Sequence, residues 1–219
     1  VTVKASSEDG REYEMRVESF GGRSLLKDGR PFLINNAEEA SRIEKEISGS
    51  DIIVRDFTKK ESPRKALAPF KTSSLQQEAA RRLRFSPRKT MRVAQSLFEG
   101  INVPGKGLTG LITYMRTDSL RISPDAVAAT RELIASRYGE DLLPEKPNYF
   151  SSKGRSQDAH EAIRPTDVKL DPEDMKPHLQ SDQYKLYSLI WKRFIASQMR
   201  PAIIASVTLD ADAGSYGLR

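Results

Sequence analysis

Gly110-Leu111-Ile112-Thr113-Tyr114-Met115-Arg116-Thr117-Asp118-Ser119 is an apolar lead followed by a polar alternation and a stop. Leu111 and Ile112 can pack into a core. Side chains at i and i+2 of a strand share a face, so Tyr114 and Arg116 are expected to point at one target. Thr117, Asp118 and Ser119 are turn and cap formers, which predicts the end of the element there. A phenol beside a guanidinium suits a phosphodiester. The oxygen can attack phosphorus while the planar fork stabilises charge on the non-bridging oxygens. Position alone argues for a plainer role, because a tyrosine after an apolar strand is ordinarily a core or rim residue.

Working outward, Ile101 to Gly110 carries Pro104 and three glycines and reads as a flexible excursion resembling the wing of a winged helix. Before it, a helix from about Ser74 to Leu83 meets a turn at Arg84-Phe85-Ser86. A second helix opens at Pro87 behind a Ser86 cap and ends at Gly100. Two short helices with so tight a turn resemble a helix-turn-helix. Between Ser62 and Arg92 the basic residues are Arg64, Lys65, Lys71, Arg81, Arg82, Arg84, Arg88, Lys89 and Arg92, against one acid, Glu78. This patch, Arg88 and Lys89 included, is expected to contact nucleic acid. The competing reading is that these cations only solvate two surface helices.

After the central stretch, Ser123-Pro124 opens a helix with Ala126, Val127, Thr130, Leu133, Ile134 and Tyr138 at helical spacing, closed by Gly139. Glu140 to Arg155 is loop-like. Ser156 can cap a short helix bearing His160 and stopping before Pro165. On such a helix His160 and Arg164, at i and i+4, share a face that could grip a phosphate or sugar. Ser181 opens the longest helix, whose apolar side is Tyr184, Tyr187, Leu189, Ile190, Trp191, Phe194 and Ile195. That stripe reads as core rather than a base-stacking platform.

The flanks are β-rich. Val1-Thr2-Val3 and Tyr13 to Val17 alternate with period two. Gly21-Gly22 and Asp28-Gly29 are turn signals. Asn36 with Glu39 is a capping-box pattern for a helix from Ala37 to Ser48, stopped by Gly49. Asp51 to Phe57 is a strand, and Ser62 to Phe70, with two prolines, reads as a linker. Ile203, Ala205, Val207, Leu209 and Ala211 alternate as a half-buried strand. The fold class is therefore α+β and multidomain. A mainly helical, winged-helix-like domain at 67–197 is inserted into a discontinuous β-rich domain at 1–66 and 198–219. Asp210-x-Asp212 after a strand has the form of a Mg²⁺ pair, but two acids on a solvated strand face explain it as well.

The chain has 219 residues, room for one or two domains with a core. Its formal charge of +6 is compatible with a polyanionic partner, although ribosome-associated and membrane-surface proteins share that balance. With no cysteine, disulfides and cysteine-ligated zinc are excluded within this chain. No apolar run reaches about 18 residues, so no membrane partner is expected. No signal peptide is visible at Val1, and without an initiator methionine the sequence reads as a fragment.

Three words carry a resemblance. The central stretch, Gln157-Asp158-Ala159-His160-Glu161-Ala162-Ile163-Arg164-Pro165-Thr166, and Pro69-Phe70-Lys71-Thr72-Ser73-Ser74-Leu75-Gln76-Gln77 resemble type IA DNA topoisomerases of bacteria. The last word is usually PFTTSTLQ in that family, with Lys71 and Ser74 as departures here. The resemblance implies that Tyr114 is the nucleophile, that Arg116 touches the scissile phosphate, and that His160, and less directly Arg164, bind DNA beside it. It implies a gate domain forming an arch with a tyrosine-bearing helical domain at its end. It also implies cytoplasmic, nucleoid-associated work on single-stranded segments of underwound DNA. The Mg²⁺ of such an enzyme, and the acid that protonates the leaving oxygen, belong to a Toprim domain that nothing here resembles. The remainder of the same polypeptide is thus a required partner, and no metal is expected in this chain. Two other readings compete with this one. A non-catalytic winged-helix DNA-binding module explains the basic helices without chemistry. A tyrosine recombinase requires His-x-x-Arg upstream of a late tyrosine, whereas here the tyrosine comes first and the spacing is His160-x-x-x-Arg164.

Overall fold

A computed structural model describes residues 2–27, 30–31, 36–151 and 160–219. The expected turn at Asp28-Gly29, the start of the first strand at Val1 and the helix N-terminus at Ser156 lie outside the described residues. The chain divides into two compact units, Val1–Pro63 with Ile203–Arg219, and Arg64–Ala202.

The first unit is built on an antiparallel sheet. Its strands are Thr2–Ser6 (β1), Glu12–Phe20 (β2), Arg23–Ser24 (β3), Ile52–Arg64 (β6), Ala202–Ala213 (β9) and Tyr216–Leu218 (β10), in the order β1-β2-β10-β9-β6 with β3 beside β2. Leu26–Lys27 (β4) and Arg30–Pro31 (β5) form a separate short pair. One helix, Ala37–Ser48 (α1), lies between β5 and β6 in sequence. The Asn36 side chain accepts from the Glu39 N–H at 2.7 Å and Gly49 closes the other end, so both helix ends follow from local chemistry. Ile43 and Ile47, one turn apart, join Met15, Ala211, Ala213, Tyr216 and Leu218 in the small core of this unit. Asp210 forms a two-point ion pair with Arg219, and Asp212 faces Arg55 at 3.5 Å.

One correction concerns the linker expected at Ser62. β6 runs on through Ser62 and Pro63 to Arg64. Proline lacks the N–H that a central strand must donate, but β6 is an edge strand with β9 as its one neighbour in the sheet, a place where proline is tolerated.

The second unit is mainly helical. Its helices are Thr72–Leu83 (α2), Pro87–Glu99 (α3), Pro124–Tyr138 (α4), Pro172–Met175 (α5) and Ser181–Ser197 (α6). Ser86 and Ser123 cap α3 and α4 by accepting from Lys89 N–H and Ala126 N–H. The expected start of α2 at Ser74 is two residues late. The Ser74 hydroxyl turns back to accept from the Lys71 N–H at 3.0 Å, as an N3 residue does in a capping box, so the first turn already contains Thr72 and Ser73. Between α3 and α4, Ile101–Val103 (β7) and Gly107–Thr109 (β8) make a hairpin around Pro104-Gly105-Lys106. Lys106 at its tip pairs with Asp167 at 2.7 Å.

The core of this unit runs through Phe70, Leu75, Leu97, Ile134, Tyr187 and Phe194. On the apolar side of α6, Tyr187, Ile190, Trp191, Phe194 and Ile195 are core, whereas Tyr184 is only half-buried and donates to Glu173 at 2.5 Å. Tyr187 Oη donates to the Leu170 carbonyl at 2.6 Å and Trp191 Nε1 to that of Val168 at 3.0 Å. Burial pushes the Tyr187 phenol above its ordinary range.

Glu78 gathers the basic surface of α2. Arg81 donates to its carboxylate at 2.8 and 3.2 Å, Arg82 also bonds it, and Arg193 approaches to 3.7 Å while lying 4.5 Å over the Phe70 ring. The Arg81 hydrogen bonds, with those of Arg82 and against the cost of burial, hold the Glu78 carboxyl at about 2. Its folded value lies below the ordinary 4.5, so the stability it confers is complete above that value and is lost as pH falls towards 2. Glu78→Gln is expected to lower stability near neutral pH by about 2 kcal/mol, because three guanidinium groups lose their anion. Thermal melting should show a drop of about 4–8 °C at pH 7, and the gap between variant and parent should narrow from pH 5 to pH 2.

Candidate active site

The stretch from Gly110 is threaded between two other parts of the helical unit. A Cβ at Gly110 would sit 2.6 Å from the Phe98 carbonyl oxygen, so only glycine lets the chain pass the end of α3. The Leu111 N–H then donates to the Leu97 carbonyl at 2.8 Å. Beyond that point the backbone pairs with 163–166. Thr113 N–H donates to the Arg164 carbonyl at 2.9 Å, Thr166 N–H donates to the Leu111 carbonyl at 3.0 Å, and Ile112 bridges Pro165. Ile163 N–H donates to the Phe70 carbonyl at 2.8 Å. Thr72 N–H, at the start of α2, donates to the Thr117 carbonyl at 2.9 Å. Each of the three sequence words thus bonds directly to the other two.

Two threonine hydroxyls complete the clamp. Thr113 Oγ1 donates to the Ala162 carbonyl at 2.7 Å and accepts from the Arg164 N–H at 3.0 Å. Thr72 Oγ1 donates to the Met115 carbonyl at 2.8 Å and accepts from the Thr117 N–H at 2.9 Å. Neither threonine was picked out from the sequence, and no local pattern marks them, because their partners are 43 to 51 residues away. Thr113→Val keeps the shape and removes one donor and one acceptor. It is expected to cost about 1–3 kcal/mol and to speed amide exchange at Arg164 about tenfold or more, while Thr113→Ser largely preserves both. Hydrogen exchange read by NMR checks this.

The expected strand through Tyr114 is not a strand. Apart from the single bridge at Ile112, residues 111–120 form no ladder. They are nonetheless extended enough to alternate. Met115, Thr117 and Ser119 are buried, while Tyr114, Arg116 and Asp118 are exposed. Met115, fully buried, anchors the stretch and turns the phenol and the guanidinium outward. Both side chains are thus exposed without the ladder that the spacing predicts, Tyr114 beside Phe98 and His160 and Arg116 in a cleft with Thr72, Ser73 and Gln76.

Tyr114 is 37% exposed, flanked by two rings. Phe98, at the end of α3, meets it edge-on at 5.5 Å between centroids, and His160 lies at 5.2 Å with its ring tilted by 37°. Phe98 was not anticipated, since its place in the sequence says only that it ends a helix.

The helix expected to carry His160 and Arg164 is absent from its described part. Residues 160–164 are extended and bridge Phe70, and the preceding residues 152–159 lie outside the described set. The shared helical face is thus corrected. His160 is exposed beside Tyr114, whereas Arg164 turns inward. Arg164 Nε donates to Glu161 at 2.7 Å and Nη1 to the Pro165 carbonyl at 2.8 Å, with its side chain only 12% exposed. Burial works against the charged form of Glu161. The Arg164 hydrogen bond and the Ser123 N–H outweigh it and hold the carboxyl below its ordinary value. Arg88 stands exposed on α3. Lys89 pairs with Asp182 at 2.7 Å and lies 4.2 Å over the Phe85 ring, which ties α3 to α6.

An accessible phenol, an exposed guanidinium two residues on and an imidazole against the phenol ring are groups suited to a phosphate ester. The family model for DNA topoisomerase matches residues 2–218. The chain belongs to the DNA topoisomerase family. The topoisomerase 1 of Xylella fastidiosa is 42% identical over 206 residues, which are 91% of this chain and 25% of that protein. Full-length topoisomerase I of Thermotoga maritima superposes with a TM-score of 0.70 at 37% identity, covering 94% of this chain and 31% of that one. These likenesses place the topoisomerase segment in the bacterial type IA branch. The chain spans about a quarter of the length of the curated relative.

Among the described residues no three of His, Cys, Asp or Glu gather as metal ligands, and Asp210 and Asp212 face arginines. No helix among the described residues is long and apolar enough to cross a membrane.

Proposed function

We propose that this chain carries the nucleophile of a type IA topoisomerase, which cuts and reseals one DNA strand. The observation that supports it most is the meeting of the three sequence words around Tyr114, which leaves the phenol exposed between His160 and Phe98 and Arg116 exposed two residues on.

The Tyr114 oxygen attacks a backbone phosphorus. A new P–O bond forms to the ring, the bond to the neighbouring 3′-oxygen breaks, and the DNA is left with a 5′-phosphotyrosine and a 3′-hydroxyl. The phenol gives up its proton and the leaving oxygen gains one. The ester energy is conserved, so the reverse attack reseals the strand without ATP. Arg116 holds the non-bridging oxygens and favours the charge that builds on them. His160 grips the phosphate or sugar beside the break. Arg164, bonded to Glu161, keeps that segment in place. The exposed cations of α2 and α3, Arg88 among them, attract the strand, with the α2–α3 pair and the β7–β8 hairpin acting as a winged-helix-like element.

In this reading the acid for the leaving oxygen and the Mg²⁺ carboxylates come from the Toprim domain of the parent enzyme. This polypeptide alone does not relax supercoiled DNA. The whole enzyme works in the cytoplasm on underwound duplex, passing a strand through the gate. The test adds the N-terminal portion of the parent in trans with Mg²⁺ and end-labelled single-stranded DNA. The expected product is a 5′ end linked to this polypeptide. DNA bound but never linked, as a purely binding module would give, overturns the reading, and so does relaxation of plasmid by this chain alone.

A further inference from the structure

Between the first turn of α2 and the stretch after Met115 lies an open cleft of about 430 Å³, lined by Thr72, Ser73, Gln76, Arg116, Thr117 and Asp118. Strand cleavage as described above uses Arg116 and gives Ser73, Gln76 and Asp118 no task. The lining is chemically mixed, with a guanidinium, a carboxylate, a carboxamide and hydroxyls. A pocket for a bare phosphate would avoid the carboxylate, which repels an anion. A carboxylate and a carboxamide instead match the donor and acceptor edges of a nucleobase, while the guanidinium suits its backbone. The volume is that of a small-molecule site rather than of a duplex groove.

Position narrows the ligand further. Arg116, two residues after Tyr114, lines the cleft together with Asp118, so the cleft adjoins the residue that holds the scissile phosphate. Cleft and tyrosine belong to the same unit. Once the strand is cut, the nucleotide esterified through its 5′-phosphate is the one that stays with Tyr114. We propose that the cleft is a subsite for this first nucleotide on the tyrosine-linked side, with Gln76 and Asp118 facing its base and Arg116 its phosphate. Holding that nucleotide keeps the linked end aligned for resealing. The inference rests on Tyr114 being the nucleophile.

The test uses the full-length parent enzyme, Mg²⁺ and a single-stranded oligonucleotide with one cleavage position. An abasic residue is walked through three positions on either side of the break. Loss of the base at the first tyrosine-linked position is expected to lower the covalent product about tenfold, in the range of one base contact. Gln76→Ala should shrink that penalty to about twofold or less and leave the other positions unchanged, and Asp118→Asn should shrink it at the same position. A normal covalent product whose abasic profile is flat, or whose penalty is the same in both variants as in the parent, overturns the subsite and leaves the nucleophile standing. Absence of covalent product from the parent enzyme on any strand overturns both.

Discussion

Tyr114→Phe in the full-length enzyme is expected to abolish covalent capture of DNA, by at least about 10⁴-fold, with strand binding retained. The substitution removes a single oxygen. The ring keeps its edge contact with Phe98 and its place beside His160. Folding loses little, because the residue is 37% exposed and the stretch is anchored by Met115 and by backbone bonds that do not involve the phenol. The melting temperature should therefore move by no more than an exposed substitution moves it, about 0.5 kcal/mol in stability. Labelled DNA that still becomes protein-linked in this variant would assign the nucleophile elsewhere.

The second large effect is expected at Arg116. Arg116→Ala should lower the rate of covalent capture about 10²- to 10³-fold, the scale of removing one charged donor from a developing oxyanion. The backbone around it stays clamped, since Thr72 holds the carbonyls of Met115 and Thr117 and accepts from the Thr117 N–H. Arg116→Lys should recover part of the loss and no more, because an ammonium supplies charge without the planar fork. Single-turnover cleavage separates this from weakened binding. An unchanged rate with raised substrate requirement would make Arg116 a binding residue only.

Features set within one turn of chain were legible from residues alone. The caps at Asn36, Ser86 and Ser123 rest on a side chain and an N–H three positions on, the stop at Gly49 rests on its own N–H and the carbonyls of the last turn, and each lies where the residue types put it. The aromatic side of α6 is buried for the same reason, since helical spacing gathers Tyr187, Ile190, Trp191 and Phe194 on one face. A local spacing rule misleads at residues 160–164, which are not helical. His160 and Arg164 were paired by i, i+4 spacing, yet this segment is extended, so one meets Tyr114 and the other meets Glu161.

The residues by themselves determined the α+β class, the helix ends of α1 and α3, and the three words whose chemistry points to a phosphodiester. Those depend on composition, short-range hydrogen bonding and side-chain type. Only the tertiary structure decided that the words meet, that Tyr114 faces outward from a segment lacking a ladder, and that Phe98, Thr72 and Thr113 belong to the site. Those facts depend on hydrogen bonds between residues tens of positions apart, and on the burial of Met115, which sets the side to which its neighbours turn.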